Sequence, residues 1–488
     1  MENNKVKLFP HLNEEVVADI RGFKLDAYLI ALEGFRRGLT LKWYKDETEK
    51  CKLHRLNSST DGKFFSLSSD KQTHYFFRSR GDLVANKTVN ICTDKEKTKQ
   101  LLKEGDVPIP EGELFDITES EGIVNYAEKI GYPVIIKPLN GSMGRGVYIN
   151  LQNRDELLNA VKETQTTYKQ YKTYLVEKHY FGKEYRVYVV GDKAVVATHR
   201  IPANITGDGN NTVEKLIKLK NRERKKNPYL APKAIKIDYE IKNYLKNYGY
   251  NEKSVPKKGE LLILRGKSNL SAGGDPIEKT YELTKEVKQI AVDALKAMPS
   301  IPHAGVDVIV NPDSNKKAIV LEINATAEIA FHCFPLEGEA KDVPGAIIDY
   351  YFPETNGKEK SNFYFDFNSL LQPLKTWAAD EIKVTKPPIG EIHSKKYIAS
   401  GKVHRVGYMS WIKRHALKNN LSGYAKKLEG DRIEVVIFGT QEQKEIMQQF
   451  AELCRKGSKK SRVDNLEEEG FELHTDQPLK LGFELVLE

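Results

Sequence analysis

Glu322 and Asn324 stand two apart in the apolar run "IVLEIN", and Asp307 interrupts the preceding run "AGVDVIV". Side chains alternate along a strand, so positions two apart share a face. An even-length hairpin loop between the runs puts Asp307 on that face too. Two carboxylates and an amide oxygen gathered there suit a hard cation, magnesium or manganese, that also takes substrate phosphates. Burying two acids without a cation is costly. The plain alternative is an exposed sheet face with ordinary acids.

A second group lies in "YPVIIKPLNGSMGRGVYI", where Lys137 precedes Gly141, Ser142, Met143, Gly144, Arg145 and Gly146. Glycines let backbone amides approach an anion, and the lysine adds a full charge, so phosphate is the natural ligand. An edge-strand lysine beside an ordinary hairpin turn is the alternative. The spacing fits neither GxGxxG nor GxxxxGK[ST]. Between the two groups, Glu177, Lys178 and Glu184 interrupt "YLVEKHYFGKEYRVYVV" around a glycine. One acid there can accept hydrogen bonds from adenine or ribose; a solvated hairpin is the other reading.

These residues need strands and helices to hold them. Thr93 or Asp94 caps a helix that stops at Gly105 before two prolines. "SEGIVNYAEKIG" and "NRDELLNAVKETQ" read as helices flanking the Lys137 strand. Val287, Ile290, Ala291, Ala294 and Leu295 recur at helical spacing. The first ninety residues combine the helical "LDAYLIALEGFRRGL" with the short β-like runs "KFFSL" and "THYFFRS", a small α/β unit. "ETNGKEKSN" and "TKPPIGE" mark boundaries, giving units 1–92 and 93–355, a linker 356–388 and a unit 389–488.

The chain has 488 residues, 40% hydrophobic and 30% charged, enough apolar material for several cores. No apolar stretch approaches the roughly 20 residues that span a bilayer, and the N-terminus has no apolar signal region. Cys51, Cys92, Cys333 and Cys454 are scattered, with no CxxC pair, so a reducing cytoplasm is the expected home. The net charge of +9 fits an anionic substrate such as a nucleotide, or solubility; nucleic acid is the less favoured partner. The basic run "KLIKLKNRERKKNPYLAPKAIK" reads as solvated surface.

Taken in order, "TDKEKTKQLLKEGDVPIPEG", the Lys137 strand and loop, "YLVEKHYFGKEYRVYVVG", "HRIPANITGDGNNTVEKLI", "LRGKSNLSAGG" and "HAGVDVIV…VLEINATAEIAFHCFP" resemble an ATP-grasp carboxylate–amine ligase. The resemblance is to the ATP-grasp domain of cyanophycin synthetases and bifunctional glutathione synthetases, and it covers about residues 93–353. It implies ATP and Mg2+ (or Mn2+) as cofactors, with Lys95 and Lys137 on nucleotide phosphates, Lys99 competing with Lys95, and the loop containing Gly141, Ser142, Met143, Gly144 and Gly146 closing over them. It places Glu177 and Lys178 at the adenine hinge, Glu184 on the ribose, and Asp307, Glu322 and Asn324 on the metal. Arg186 and Arg200 match basic positions for the phosphoryl group or a substrate carboxylate. The chain departs from its relatives at "ATAEIAFH", a segment that the resemblance places on the acceptor side and where they more often carry a Pro-Gly pair.

The last hundred residues resemble an acylphosphatase domain, a ferredoxin-like βαββαβ fold. The family's loop Gly-x-Val-Gln-Gly-Val-x-Phe-Arg aligns with Gly401 to Met409, so Met409 replaces the phosphate-binding arginine and Lys427 the water-orienting asparagine. This implies a module that does not hydrolyse, although Arg405 and Lys427 can still form an anion-binding surface. The expected architecture is therefore α/β and α+β multidomain: an ATP-grasp fold preceded by a small α/β domain and followed by an acylphosphatase-type domain. The expected activity joins a small-molecule carboxylate to an amine at the expense of ATP, away from membranes; a homo-oligomer is left open. A nucleotide-sensing protein with a degenerate ATP-grasp and carbamoyl-phosphate-type chemistry are the alternatives.

Overall fold

The computed structural model describes residues 6–45, 60–140, 145–313, 317–470 and 477–487. The helix Phe23–Arg36 is mostly apolar and buried nearly all round, with Leu25, Tyr28, Leu29, Ile30, Leu32 and Phe35 all inside. A helix of that kind belongs inside a core. It lies against an antiparallel sheet ordered Glu381–Lys383, Thr40–Tyr44, Phe64–Ser68, Thr73–Phe77, Arg80–Gly81. Gly34 makes the approach possible, since a Cβ there would stand 2.4 Å from Leu67 Cδ1.

The linker expected over 356–388 is not one. Phe363, Phe365, Phe367, Leu371, Leu374 and Val384 are buried in this first core, and Trp43 pairs with Ile382 in the sheet. The helix Val343–Tyr351 packs on Phe23–Arg36 as well, so the N-terminal unit is completed by residues about 300 positions away.

Two sheets form the middle of the chain. The first is antiparallel, ordered Gly112–Asp116, Thr173–Lys178, Val134–Pro138, Tyr148–Leu151. Ile123, Val124 and Ala127 of the helix Ser120–Ile130 and Leu157, Ala160 and Val161 of Arg154–Thr167 share its core. The Lys137 strand is therefore interior, not an edge. The second sheet is ordered Asp275–Glu278, Lys193–Ile201, Lys183–Val190, His303–Val310, Ala318–Asn324, also antiparallel. The helix Lys285–Lys296, capped by Thr284, buries Val287, Ala291, Ala294 and Leu295 with it. Tyr188, Val190 and Val196 of this sheet join the first core, which ties the N-terminal unit to it.

The basic run read as solvated surface forms the helix Val213–Arg224 at its start. Lys220 and Arg224 turn inward to Asp275 at 2.5 and 2.6 Å, so part of that charge is structural.

The C-terminal sheet is ordered Arg462–Glu469, Ile392–Lys402, Arg432–Thr440, Ser422–Leu428, Phe483–Val486. Its core takes Tyr408, Ile412 and Ala416 from the helix Tyr408–Lys418 and Met447, Phe450 and Cys454 from Lys444–Lys456. This is the ferredoxin-like βαββαβ arrangement with one added strand. Val436 and Phe438 pack into the N-terminal core, and Leu479–Lys480 pairs in parallel with Phe363–Tyr364. Among the described residues no helix is long and apolar enough to cross a membrane.

Candidate active site

Asp307 pairs directly with Glu322 across the hairpin, and Gly305 with Asn324, so all three candidate ligands share one sheet face. Arg186 on the other neighbouring strand also pairs with Asp307. Its guanidinium donates from Nε to Asp307 Oδ1 at 2.5 Å and from Nη2 to Oδ2 at 2.7 Å. Arg200 donates to Asp307 Oδ2 at 2.9 Å and also to Glu184. Burial alone would raise the Asp307 carboxyl, but Arg186 and then Arg200 outweigh it and hold it at about 2. Asn324 donates its amide to Glu322 Oε1 at 3.0 Å, and Glu322 is 44% exposed.

Among the described residues, no three or more of His, Cys, Asp and Glu are grouped to hold a metal. The donors present are two carboxylates and one amide oxygen, all hard, and that set fits magnesium or manganese. Asp307 differs from the expectation in being shared with two guanidinium groups. Arg200 Nε is a buried donor with no partner among the described residues, which leaves it free to meet an anion.

Glu177 is not at an open hinge. It is 1% exposed and paired with Lys99 at 2.9 Å and Lys137 at 2.5 Å. Burial would raise its carboxyl, but Lys137 and Lys99 outweigh that and lower it. Its side chain therefore positions the two lysines. Lys178, the other residue expected at the adenine hinge, donates its ammonium to the carbonyls of Gly131 and Tyr132 at 2.9 and 3.0 Å. Glu184, expected on a ribose, is held by Arg200. Asp94 caps the helix Lys95–Glu104, which starts with Lys95. The Lys95 ammonium donates to the Leu139 carbonyl at 3.0 Å. Burial lowers its pKa, Glu322 raises it and Lys137 lowers it, so the metal face and the lysine pair act on one another. Gly146 has φ +65°, the left-handed region that favours glycine. Gly141, Ser142, Met143 and Gly144 lie outside the described residues.

A further charged group escaped the sequence reading. Asp26 is 1% exposed on this largely apolar helix, and its Oδ1 accepts from the amides of Ile329 and Ala330 at 2.9 and 3.0 Å. An acid inside "LDAYLIALEGF" was the signal that could have found it. Burial, then Glu328, push its carboxyl up to about 7, against Arg78 and the two amides. An unfolded aspartate titrates near about 3.9. Between these values the folded chain holds the extra proton, so stability falls as pH rises toward 7. Asp26→Asn keeps the amide acceptor and should flatten this dependence, read as denaturation midpoints at pH 5 and pH 8. An unchanged slope would contradict the buried-acid assignment.

In the C-terminal loop Arg405 is exposed at φ +58° and Gly407 has φ +77°. Met409 packs against the domain core and Lys427 is exposed. No arginine occupies the expected phosphate position. The full chain, given acetyl phosphate without ADP, should therefore release phosphate at background rate, the loss of one such donor costing about 10²–10³ in rate. Robust hydrolysis would contradict this, and Met409→Arg with Lys427→Asn is the matching gain-of-function test.

Residues 94–201 match the family model for the carbamoyl-phosphate synthase L chain ATP-binding domain, and residues 395–484 match that for acylphosphatase. The chain thus carries an ATP-grasp domain followed by an acylphosphatase-type domain. Its homologues include the cyanophycin synthetase of Nostoc sp., 32% identical over 278 residues, 55% of this chain and 30% of that one. They also include the glutathione biosynthesis bifunctional protein of Clostridium perfringens, 30% identical over 298 residues, 59% of this chain and 38% of that one. The chain thus spans about a third of the length of these relatives. The solved bifunctional glutathione synthetase from Pasteurella multocida is 27% identical, with a TM-score of 0.46 over 62% of this chain and 41% of that one.

Proposed function

We propose that the chain is an ATP-dependent carboxylate–amine ligase. The observation that carries this reading is the single face on which Arg186, Arg200, Asp307, Glu322 and Asn324 meet, electrostatically linked through Lys95 to the Lys99–Glu177–Lys137 group.

Lys95 and Lys137 bind the nucleotide phosphates, and Glu177 holds Lys137 and Lys99 in place through its two ion pairs. Asp307, Glu322 and Asn324 hold Mg2+ or Mn2+, which when bound supplies Lewis-acid neutralisation of the phosphates. Arg186 and Arg200 orient the phosphoryl group and the substrate carboxylate, in a site where preorganised donors are worth most. The carboxylate oxygen attacks the γ-phosphorus and ADP leaves. The amine nitrogen then attacks the carbonyl carbon of the acyl phosphate, loses a proton and expels phosphate, leaving an amide. A loop that excludes water protects the acyl phosphate, and the segment around Gly146 takes that role.

Such chemistry belongs in the cytoplasm, where ATP is abundant. Among the described residues Cys92, Cys333 and Cys454 are free thiols, which suits that setting. Incubation with ATP, magnesium and a pool of amino acids should release phosphate, with little release when the pool is omitted. Nucleotide binding without turnover would make the chain a sensor instead.

A further inference from the structure

One charged surface has no part in the steps above. It lies at the loop end of the C-terminal domain. Strand pairing sets Lys402 opposite Arg462 and Leu428 opposite Arg432. Two hydrogen bonds draw the loops to the same place. His404 Nε2 donates to the Arg432 carbonyl at 2.9 Å, and Ser458 Oγ donates to the Val406 carbonyl at 2.7 Å. Lys402, Arg405, Lys427, Arg432, Lys459 and Lys460 therefore ring one end of the domain, and all six are exposed.

Among the described residues none of the six forms an ion pair. The acids at this end are Glu429, Asp431 and Asp464. Asp431 lies beside His404 at 3.3 Å, and Asp464 is taken by Arg462 at 2.8 Å. Further along the same sheet the lysines are matched, Lys395 by Glu468 and Lys396 by Glu434 and Glu469. Cations gathered without counter-charges repel one another and raise a positive field that attracts an anionic partner. The ring also stands clear of the N-terminal unit. Val436 and Phe438 enter that unit's core, and Arg432 lies at the other end of their strand, about 20 Å from Phe438.

The neighbours select the kind of anion. A lipid surface is gripped best when apolar side chains enter it beside the charges, and no large hydrophobic side chain of 400–409, 426–432 or 457–462 is exposed. A single-stranded nucleic acid needs aromatic rings to stack on. Tyr408 is buried, and Tyr424 is half-buried with its hydroxyl on Glu434. An acidic peptide would add to a free sheet edge. The edge here is Arg462–Glu469, and its Asp464, Glu467, Glu468 and Glu469 repel such a peptide. A duplex asks only for clustered cations facing its phosphates.

We infer that this ring is a docking surface for a double-stranded nucleic acid, held by its phosphates without regard to sequence. The net charge of +9 alone gives nucleic acid little weight; the placement of these six side chains is what favours it. The inference goes beyond the ligase reading and does not depend on it.

The test uses the full chain and a fluorescently labelled 20-base-pair DNA duplex, read by anisotropy between 50 and 200 mM salt. Three to six phosphate contacts predict a slope of log K against log salt of about −3 to −5, or a loss of about 10²–10³ in affinity over that range. Lys402→Glu, Arg405→Glu and Lys427→Glu together should weaken binding at least about tenfold and reduce the slope by about 1 for each contact removed. The control is Lys129→Glu, Lys162→Glu and Lys169→Glu, the same charge change on exposed lysines of another domain. It should leave affinity within about twofold, because charges beyond about 10 Å are screened. No binding at 50 mM salt, a slope shallower than about −1, or equal weakening by the control would overturn the inference. So would tighter binding of poly-glutamate or of phosphatidylserine vesicles than of the duplex. The slope of the parent chain needs no variant to fold, and ATP turnover plays no part in the readout, so failure here leaves the ligase reading standing.

Discussion

Glu322→Gln is expected to lose ATP turnover by at least about 10²-fold while keeping its stability, and Asp307→Asn to lose both. The two acids face each other across the hairpin but differ in surroundings. The Glu322 side chain is 44% exposed, so its replacement should cost far less folding stability than that of Asp307. Its loss acts on the reaction, where one charged transition-state contact is worth about 10²–10³ in rate. Asp307 is 3% exposed by side chain and holds both Arg186 and Arg200. Removing one partner of a buried pair costs about 3–5 kcal/mol, and here two guanidinium groups are left facing one another. Phosphate release and denaturant melts of the two variants separate the effects. Near-normal turnover by Glu322→Gln at saturating magnesium would remove the metal assignment.

Glu177→Ala is expected to destabilise the chain by about 3–5 kcal/mol, because a carboxylate buried between two ammonium groups is deleted. Lys137→Ala leaves Glu177 its pair with Lys99, so the fold should survive. Its effect falls on nucleotide affinity: a hydrogen bond to a charged group is worth about 1.5–3 kcal/mol, or roughly ten- to a hundredfold in binding. Lys178→Ala is the control, since its ammonium serves the carbonyls of Gly131 and Tyr132 and should leave nucleotide affinity unchanged. Calorimetry with ATP decides. Equal affinities for the parent and Lys137→Ala would reduce the glycine-loop strand to an ordinary structural element.

The parts of this site that were legible in the sequence are those fixed by local rules. Asp94 as a cap and Gly105 as a stop follow from backbone groups that must be satisfied within one turn. Glu322 and Asn324 share a face because the strand repeat is two, and the hairpin register brought Asp307 opposite Glu322. Long-range partners were not legible. Glu177 stands among apolar residues in a strand, but Lys99 is 78 positions away, so an acid meant to pin two lysines looked like a hinge ligand. Phe363, Phe365 and Phe367 sit amid polar residues and near prolines, and their partners are a helix and a strand near the other end of the chain. That separation made a core segment read as a linker. Asp26 was hidden for the opposite reason: an acid in a long, mostly apolar helix is easily passed over, although burying it needs partners from elsewhere in the chain.

The central claim is that a substrate carboxylate is activated by taking the γ-phosphoryl group of ATP. The most direct measurement supplies the chain with ATP, magnesium and an amino-acid pool labelled with 18O in every carboxylate, and reads the released phosphate by mass spectrometry. An acyl phosphate collapses to amide and phosphate with one carboxylate oxygen carried away, so phosphate bearing a single 18O beside ADP is the predicted result. Phosphate without label, or AMP and pyrophosphate in place of ADP, would contradict the account.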